Sequence, residues 1–559
     1  MNASELLVEC LQREEVRAVA GVSGRPMLDL LQALEKSSIE LYQTRHEQGA
    51  GFLADGYARV RNRPGVVLIQ RGPGVTNCMT PIANAKIDGI PLIVLIGQGE
   101  MEMFDKGALQ ELDHLAFLDY FCKWTFRLHD VRRIPEMMRR AFMIASSGKP
   151  GPVALELPMN LMDRTVPVPV EPYVPVGRGL RPAGDPDRVK DAVAALGQAK
   201  APLVYAGAGV LRSEASPELL QLAEILAVPV MTSLPGKSCF PEDHPLSLGL
   251  GGFPRATYGT PQAAQALDEA DWVLALGSSF REHGTRYFRP RPEGVRLIQI
   301  DISEQELSKN YAADIAVLGD LKRVLQQMVV EAKQLVEDPR VREEAKRRRS
   351  RVSDRIAAAR GEWLKQWQEH LNSDASPIDP YRITTEIAAA VDLDQTVILH
   401  DAGLVRAYIC HHLVSRLPLS FLGYGGFSAM GYSLPAALGA KIAAPEKNVI
   451  CIIGDGSFGM TGPELETAVR YGIKTVTLVY NNGGLDAVRR LQERRGEPFV
   501  WDELSGGYAE VARGFGAFAR RIELAKDIKS ALEEALGQDR PAVLELVVAR
   551  LVPTPQYWE

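Results

Sequence analysis

Two strand-like segments near the C-terminal end of the chain each finish in polar residues. The apolar run 449–453 is rich in β-branched residues and is followed by a Gly-Asp-Gly triplet with Asp455 at its centre. The run 475–480 has the same character and is followed by Asn481-Asn482. Continuous apolar runs of this length are typical of strands that are buried on both faces of a parallel sheet.

The segment between these two strands is predicted to contain a helix. Thr461 and Glu464 have the spacing of a capping box, Pro463 stands near the first helical position, and Gly472 is a typical stop. Parallel strands need a crossover of this kind, so the unit is strand–helix–strand. We therefore expect an α/β fold in which the two polar strand ends meet at the carboxyl edge of one sheet.

Oxygen donors dominate that edge. A carboxylate at Asp455, an amide oxygen at Asn482 and nearby backbone carbonyls suit a hard cation that keeps some of its waters and bridges phosphate oxygens, which indicates Mg²⁺. Glycines beside the aspartate, such as Gly456, let the backbone approach a diphosphate closely. The sequence thus predicts a magnesium and diphosphate site.

The remaining chain repeats the strand–helix pattern. A chain of 559 residues is too long for one hydrophobic core. Alternating apolar runs and amphipathic stretches predict three doubly wound parallel-sheet domains over residues 1–165, 186–330 and 376–550. The Pro/Val alternation of residues 165–176 predicts an extended linker, and the charge-dense residues 331–370 predict a solvated helical connector.

Composition and net charge limit the kinds of binding partner and the cellular compartment that we expect. Hydrophobic residues at 46% and charged residues at 24% are ordinary for a soluble protein, and a net charge of −6 gives no reason to expect nucleic acid or an anionic membrane. No apolar run approaches the length of a membrane span, and the N-terminal residues lack the pattern of a signal peptide. The six scattered cysteines form no C-x-x-C pair, which suits a reducing cytosol. The predicted location is the cytoplasm.

The Gly-Asp-Gly…Asn-Asn pattern resembles the signature of thiamine-diphosphate-dependent enzymes, and the resemblance extends over nearly the whole chain. It implies a pyrimidine-binding domain, a central Rossmann-like domain and a diphosphate-binding domain. It also implies that Asp455 and Asn482 bind Mg²⁺ through their side chains and Gly484 through its carbonyl.

Further stretches carry the same resemblance. Glu47, in Arg45-His-Glu-Gln-Gly-Ala50, matches the glutamate that lies against a ring nitrogen of the aminopyrimidine and promotes the imino form of the cofactor. Met430 matches the apolar residue that bends the cofactor into a V shape, and Gln110 matches a glutamine on the substrate side. The implied cofactor contacts are Gly72, Pro73, Asn77, Gly403, Leu404, Ser428, Met430, Gly456 and Ser457. Because Glu47 and Asp455 meet across a subunit interface in this family, a homodimer is the implied minimum, and a homotetramer is the predicted assembly.

The motifs of two other enzyme classes, P-loop enzymes and dinucleotide-binding dehydrogenases, are incomplete in this sequence. A P-loop ending at Lys237-Ser238 would need glycine where Met231 stands, and Gly207-Ala-Gly209 lacks the third glycine of a dinucleotide fingerprint, because Arg212 occupies that position. His411 and His412 belong to no ligand cluster, and we expect them on a helix surface.

Within the family, the strongest resemblance is to acetolactate synthase large subunits, carried by residues 45–59, 109–111, 240–246 and 425–437. It implies decarboxylation of a 2-oxo acid and transfer of the acyl carbanion to a second carbonyl. Two alternatives stay open. The loop with Arg25 and Pro26 looks like that of 2-hydroxyacyl-CoA lyases and oxalyl-CoA decarboxylases, although residues 401–404 do not match their asparagine-containing loop. Gln110 and Lys123-Trp124 also resemble benzaldehyde lyase, which would make an acyloin the substrate.

Three departures from acetolactate synthases bear on ligands. Ser279-Phe-Arg-Glu-His283 replaces the arginine/aspartate run that contacts flavin, so FAD is not expected. Arg25 stands where a small residue is usual, and we predict that it meets an anionic substrate, because a guanidinium in an apolar cleft needs an anionic partner. The tryptophan that selects larger acceptors is replaced by Leu491.

Overall fold

The computed structural model describes residues 1–165, 167–168 and 172–555. Part of the predicted linker, residues 166 and 169–171, lies outside the described residues, as does the end of the chain at 556–559. The rest of the linker is held by Glu14, whose carboxylate accepts hydrogen bonds from the Tyr173 hydroxyl at 2.6 Å and the Val176 N–H at 2.7 Å.

Six parallel strands form the first sheet. They are β1 (Ala18–Gly21), β2 (Glu40–Gln43), β3 (Gly65–Gln70), β4 (Leu92–Gln98), β5 (Trp124–Arg127) and β6 (Pro152–Pro158). Their helices are α1 (Ala3–Arg13), α2 (Leu28–Glu35), α3 (Glu47–Arg61), α4 (Pro73–Asp88), α5 (His114–Phe121) and α6 (Ile134–Ser146). The strand order is β2-β1-β3-β4-β6-β5. Every position of β4 and β6 is buried, as expected for central strands with helices on both faces.

The central sheet is also six-stranded and parallel. It contains β7 (Pro202–Ala206), β8 (Val230–Thr232), β9 (Ser247–Leu250), β10 (Trp272–Leu276), β11 (Arg296–Asp301) and β12 (Ile315–Leu318). Its helices are α7 (Pro186–Gln198), α8 (Gly209–Arg212), α9 (Ser216–Leu226), α10 (Pro261–Glu269), α11 (Glu282–Thr285) and α12 (Leu321–Leu335). The order β12-β11-β10-β7-β8-β9 reverses direction between β7 and β10, which is the Rossmann-like arrangement predicted.

A charged helical connector leads to the third domain. It consists of α13 (Pro339–Gln366) and α14 (Gln368–Leu371). The helix is as predicted, but it is not solvated on all sides. Arg348 is 4% exposed and donates to the carbonyls of Leu226 and Ala199, and Trp363 is buried as well. The helix therefore packs on the central domain at Arg348 and on the third domain at Trp363, which contacts His411 and His412.

The third sheet repeats the order of the first. Its strands are β13 (Thr396–His400), β14 (Phe421–Gly423), β15 (Asn448–Gly454), β16 (Val476–Asn481), β17 (Phe518–Ile522) and β18 (Ala542–Val547). Its helices are α15 (Pro380–Ala390), α16 (Val405–Ile409), α17 (Ser433–Ala443), α18 (Asp455–Thr461), α19 (Glu464–Arg470), α20 (Asp486–Arg495), α21 (Tyr508–Gly514) and α22 (Ile528–Leu536). The order β14-β13-β15-β16-β18-β17 is that of the first sheet, so the two share one architecture. Three parallel, helix-covered sheets confirm the predicted fold class.

Glycines bring the first and third domains into close contact. A Cβ at Gly56 of α3 would lie 2.1 Å from the Ala436 carbonyl oxygen, and a Cβ at Gly439 of α17 would lie 1.9 Å from that of Leu53. Only glycine permits this backbone approach. Helices α3 and α17 are therefore packed without intervening side chains.

Two local predictions were wrong. Thr461 and Glu464 do not form a capping box: Thr461 donates to the Gly431 carbonyl, and Glu464 accepts from the N–H groups of Arg45 and His46 at the start of α3. Long-range partners outcompeted the local ones. His411 and His412 follow α16 in a turn, and their ring nitrogens are buried against Trp363 instead of lying on a helix surface.

None of the helices in the described part of the chain is both long enough and apolar enough to cross a membrane.

Candidate functional site

The predicted metal ligands come together at the carboxyl edge of the third sheet. Asp455 begins α18 immediately after β15, and Asn482 follows β16, the neighbouring strand. The Gly484 N–H donates both to Asp455 Oδ2 at 3.2 Å and to Asn482 Oδ1 at 3.1 Å. The two side-chain oxygens thus converge on one amide. Arg550 donates to the carbonyls of Asn482 and Gly483, which fixes the turn between the ligands.

The surroundings of Asp455 suit a cation. The residue is 3% exposed, and no described residue forms an ion pair with it. Burial raises its pKa to about 6, although the N–H groups of Gly456, Gly483 and Gly484 act against the shift. A buried carboxylate without a cationic partner is costly, and a divalent ion would supply that partner. Among the described residues, no three His, Cys, Asp or Glu side chains cluster as metal ligands. The donors at this edge are one carboxylate, one amide and the backbone, a set that suits Mg²⁺.

Gly456 and Met430 face one another beside this edge. A Cβ at Gly456 would lie 2.8 Å from Leu485 and 3.3 Å from the Met430 methyl carbon. The absence of a side chain at Gly456 therefore lets the loop that carries Met430 lie directly against the start of α18. The structure brings these two predicted cofactor residues together.

Asp401 organises the rest of this edge, and sequence reasoning missed its role. Its carboxylate is fully buried and accepts from the N–H groups of Gly431 and Ser433 and from the hydroxyl of Ser433, and it also hydrogen-bonds the Ser457 side chain. The Asp401 carboxylate thereby ties its own loop, which carries Gly403, to the loop of Met430 and to the start of α18 at Ser457. The only sequence signal was its place at the end of a strand, β13.

The other predicted cofactor residues of this domain lie on the same loops. Gly403 adopts a positive φ of 96° with open space at its Cβ position, and Leu404 is buried at the start of α16. Ser428 also has a positive φ, of 59°, and its side chain is hydrogen-bonded to Tyr424. Among the described residues, none of these three forms a hydrogen bond with the proposed metal ligands.

Glu47 and Asn77 pair at the carboxyl edge of the first sheet. Glu47 is the first residue of α3, 7% exposed, and its Oε2 accepts a hydrogen bond from Asn77 Nδ2 at 2.9 Å. No described residue donates to Oε1. A Cβ at Gly74 would lie 3.4 Å from Oε1, so the start of α4 lies against this carboxylate. Asn77 orients the carboxylate and leaves one of its oxygens available.

Gly72, Pro73 and Gln110 lie together next to that pair. Gly72 precedes α4 with a φ of 63°, and Pro73 is the first helical residue. A Cβ at Gly72 would lie 2.7 Å from the Gln110 carbonyl oxygen, and Gln110 has a positive φ of 60°. The loop of Gln110 is therefore folded onto the turn before α4.

Arg25 is exposed in this single chain. It stands in the short 3₁₀ turn Arg25–Met27 after β1, at the same edge as Glu47. Among the described residues, none forms a hydrogen bond or an ion pair with the Arg25 side chain. For the Arg25 guanidinium to be desolvated, as predicted from the sequence, a second surface must cover this edge.

The two clusters make no direct polar contact with each other within one chain. No hydrogen bond or ion pair between described residues joins Glu47 or Asn77 to Asp455, Asn482 or Gly484. The hydrogen-bonded link between the two domains that lies next to Glu47 is Glu464, which is 2% exposed and accepts from the N–H groups of Arg45 and His46.

A cavity of about 450 Å³ lies at the switch point of the central sheet. Its walls include the turns at Gly207 and Gly277 and the run 279–283. Within that run, Phe280 is 2% exposed and packs against Phe253 and Tyr311. Phe280 therefore forms part of the cavity wall and is held there by its aromatic neighbours.

Arg281 of the same run joins all three domains. It donates to Asp88 Oδ1 at 2.8 Å, while Asp88 also accepts from Arg59 and from the N–H groups of Gly425 and Gly426. Burial alone would raise the pKa of Asp88, but Arg59 and Arg281 lower it well below its usual value. Arg281 is therefore occupied by an internal ion pair next to the loop that carries Met430.

Comparisons with known proteins agree with this arrangement. Residues 1–117, 189–328 and 401–546 match the N-terminal TPP binding, central and C-terminal TPP binding domains of thiamine pyrophosphate enzymes. The probable acetolactate synthase large subunits of Methanococcus aeolicus and Methanocaldococcus jannaschii are 34% and 35% identical, each over 98% of this chain and 92% of the relative. The large subunit of Escherichia coli acetolactate synthase isozyme 1 is 30% identical over 98% of this chain and 93% of the relative. The chain therefore belongs to the thiamine pyrophosphate enzyme family and is similar to acetolactate synthase large subunits along almost its whole length.

Proposed function

We propose that this protein is a thiamine-diphosphate- and Mg²⁺-dependent, acetolactate synthase-like transferase that decarboxylates a 2-oxo acid and transfers the acyl group to a second carbonyl. The observation that carries the proposal is the convergence of Asp455, Asn482 and Gly484 at one strand edge. The full-length similarity to acetolactate synthase large subunits supports the choice of reaction.

Each site residue has a proposed role toward the cofactor, the metal or the substrate. When bound, thiamine diphosphate supplies an electron sink next to the reacting carbonyl, which an ordinary side chain cannot provide. Asp455, Asn482 and the Gly484 carbonyl would hold Mg²⁺ and through it the diphosphate. Glu47 would hold a proton at a ring nitrogen of the aminopyrimidine, with Asn77 keeping its carboxylate in place. Gln110 would contact the substrate, and Met430 would support the cofactor.

The proposed assembly rests on the family resemblance, in which the Glu47 and Asp455 edges meet across a subunit interface, and it agrees with the lack of polar contact between the two clusters within one chain. A homodimer in which the Glu47 edge of one subunit faces the Asp455 edge of its partner would complete two sites, and pairing of such dimers would give the homotetramer. Exposed apolar side chains at both edges support burial in an assembly, including Leu109 at 79% exposed and Trp501 at 98%. Six buried free cysteines suit the cytoplasm. The proposed domain limits remain residues 1–165, 186–330 and 376–550.

A substrate screen tests the reaction. Purified enzyme with thiamine diphosphate and Mg²⁺ is given pyruvate, a 2-hydroxyacyl-CoA or an aromatic acyloin, and CO₂ release and product formation are measured. We expect turnover of pyruvate to an acyloin acid. Turnover of only the CoA thioester or only the acyloin would replace the proposal with the corresponding lyase.

Arg25→Ala should weaken the use of acidic substrates. Loss of one charge-assisted pair with a substrate carboxylate costs about 1.5–3 kcal/mol, so the KM for an acidic substrate should rise by roughly tenfold to a hundredfold. Neutral aldehyde acceptors should be affected much less. Arg13→Ala, which removes an exposed arginine from α1, is the control. An equal effect on acidic and neutral substrates, or no effect on either, would make Arg25 structural.

The purified enzyme should be colourless. The run 279–283 replaces the flavin-contacting run of acetolactate synthases, and its Arg281 is already paired with Asp88. We expect no stoichiometric FAD in the visible absorption spectrum. A flavin band near one equivalent per chain would show that the cavity of the central domain holds the cofactor despite these contacts.

A further inference from the structure

A buried chain of polar side chains runs behind Gly72. His114, the first residue of α5, and Glu156 of β6 are both 0% exposed. His114 Nδ1 lies 2.7 Å from Glu156 Oε1, and Arg127 donates to the other oxygen of that carboxylate. On the opposite side of the ring, the Gly72 N–H donates to His114 Nε2 at 2.8 Å. The chain therefore connects Arg127 to the turn before α4.

These contacts define the hydrogen on the imidazole ring. A nitrogen that accepts the Gly72 N–H must carry a lone pair, so the ring hydrogen sits on Nδ1 and is donated to Glu156. Gln98 Nε2 lies 3.2 Å from Nδ1 and 3.4 Å from Glu156 Oε1, and with this tautomer it donates to Glu156. Burial acts to raise the pKa of Glu156, but the hydrogen bond from His114 and the charge of Arg127 outweigh it and lower the pKa. An ionised Glu156 accepts from Nδ1 and so selects this tautomer.

The Gly72 N–H matters because of what the turn carries. With a φ of 63°, Gly72 sets the path into α4 and lies against the backbone of Gln110. One turn further along α4 is Asn77, which donates to Glu47. One backbone donor thus fixes the position of a proposed substrate contact and of the residue that orients the proposed cofactor base.

We propose that His114, set in one tautomer by Glu156, is a positioning residue that holds the Gly72 turn and thereby places Gln110 and Asn77 for the reaction. The inference rests on the proposed function of Gln110 and Glu47. His114 itself contacts neither substrate nor cofactor, since it is enclosed behind the turn.

Two near-isosteric variants separate this role from a merely structural one. In His114→Gln the side-chain oxygen can occupy the position of Nε2 and accept the Gly72 N–H. In His114→Asn the polar atoms reach only the position of Nδ1, so the Gly72 N–H loses its acceptor. We expect kcat/KM to fall by on the order of tenfold to a hundredfold in His114→Asn and to be largely retained in His114→Gln.

Hydrogen exchange of the holoenzyme supplies a readout that is independent of turnover. Peptides covering residues 70–78 should exchange faster in His114→Asn than in His114→Gln or the unchanged enzyme. Glu156→Gln tests the same link without altering the ring, because the amide can donate to Nδ1 and move the ring hydrogen to Nε2. Glu156→Gln should show the same fall in kcat/KM and the same faster exchange as His114→Asn. It replaces that variant in the comparison if His114→Asn does not fold.

The outcomes distinguish the inference from the proposed function. Equal exchange and equal kcat/KM in the two His114 variants would overturn the positioning role, even if Gln110→Ala and Glu47→Gln are inactive. Normal turnover in Gln110→Ala and Glu47→Gln would instead overturn the proposed roles of those residues. Faster exchange in His114→Asn with unchanged turnover would also reject the positioning role, because the Gly72 turn would then be irrelevant to the reaction.

Discussion

Asp455→Ala is expected to abolish the Mg²⁺-dependent binding of thiamine diphosphate. Asp455 is the only charged member of the proposed ligand set, and it is almost fully buried. Removing one partner from a buried charge pair costs about 3–5 kcal/mol, so the affinity should fall by about two to four orders of magnitude. Titration calorimetry with thiamine diphosphate, in the presence of Mg²⁺ and after chelation, measures the effect. After chelation of Mg²⁺, the unaltered enzyme should bind thiamine diphosphate as weakly as the variant does.

Asp185→Ala is the matched control for this loss. Asp185 also stands at the start of a helix, where its side chain accepts from the N–H groups of Asp187 and Arg188. Its removal should cost about 1 kcal/mol of stability without changing the affinity for cofactor. If Asp455→Ala kept an unchanged Mg²⁺-dependent affinity, the metal would have to be held elsewhere.

Glu47→Gln should bind the cofactor and yet lose turnover by about two to four orders of magnitude, the range for a proton-transfer group. The amide is the same size as the carboxylate and can still accept the hydrogen bond from Asn77, but it cannot share a proton with the pyrimidine in the same way. The expected signature is a fall in kcat with the affinity for thiamine diphosphate within about tenfold, since one neutral hydrogen bond is worth about 1 kcal/mol. Steady-state kinetics and calorimetry on one preparation separate the two quantities.

Glu14→Gln provides the comparison. Glu14 and Glu47 belong to the same domain and are equally buried at 7% exposed, but Glu14 holds the linker through Tyr173 and Val176. Its substitution should change the stability of the chain and leave kcat close to that of the unaltered enzyme. Near-normal turnover in Glu47→Gln would remove Glu47 from the chemistry.

Much of the architecture can be predicted from the local pattern of apolar residues in the sequence. The apolar runs 449–453 and 475–480 are strands within a residue of their predicted limits, because strands covered by helices on both faces are rich in apolar residues. The metal-site prediction worked for a related reason. Residues that directly follow neighbouring parallel strands must lie at one edge, so Asp455 and Asn482 could be placed together before any contact was known.

Sequence by itself therefore determined the three α/β domains, the family and the residues at the polar strand ends, since these depend on periodicity and on short motifs. Tertiary structure alone decided which partners the buried polar groups take. Glu464 has the spacing of a local cap, but it serves the start of α3, more than 400 positions away. The acceptor of the Gly72 N–H is His114, 42 positions further along the chain. A buried donor or acceptor is satisfied by whichever group the packed domains bring within reach, and that choice leaves no periodic trace in the sequence.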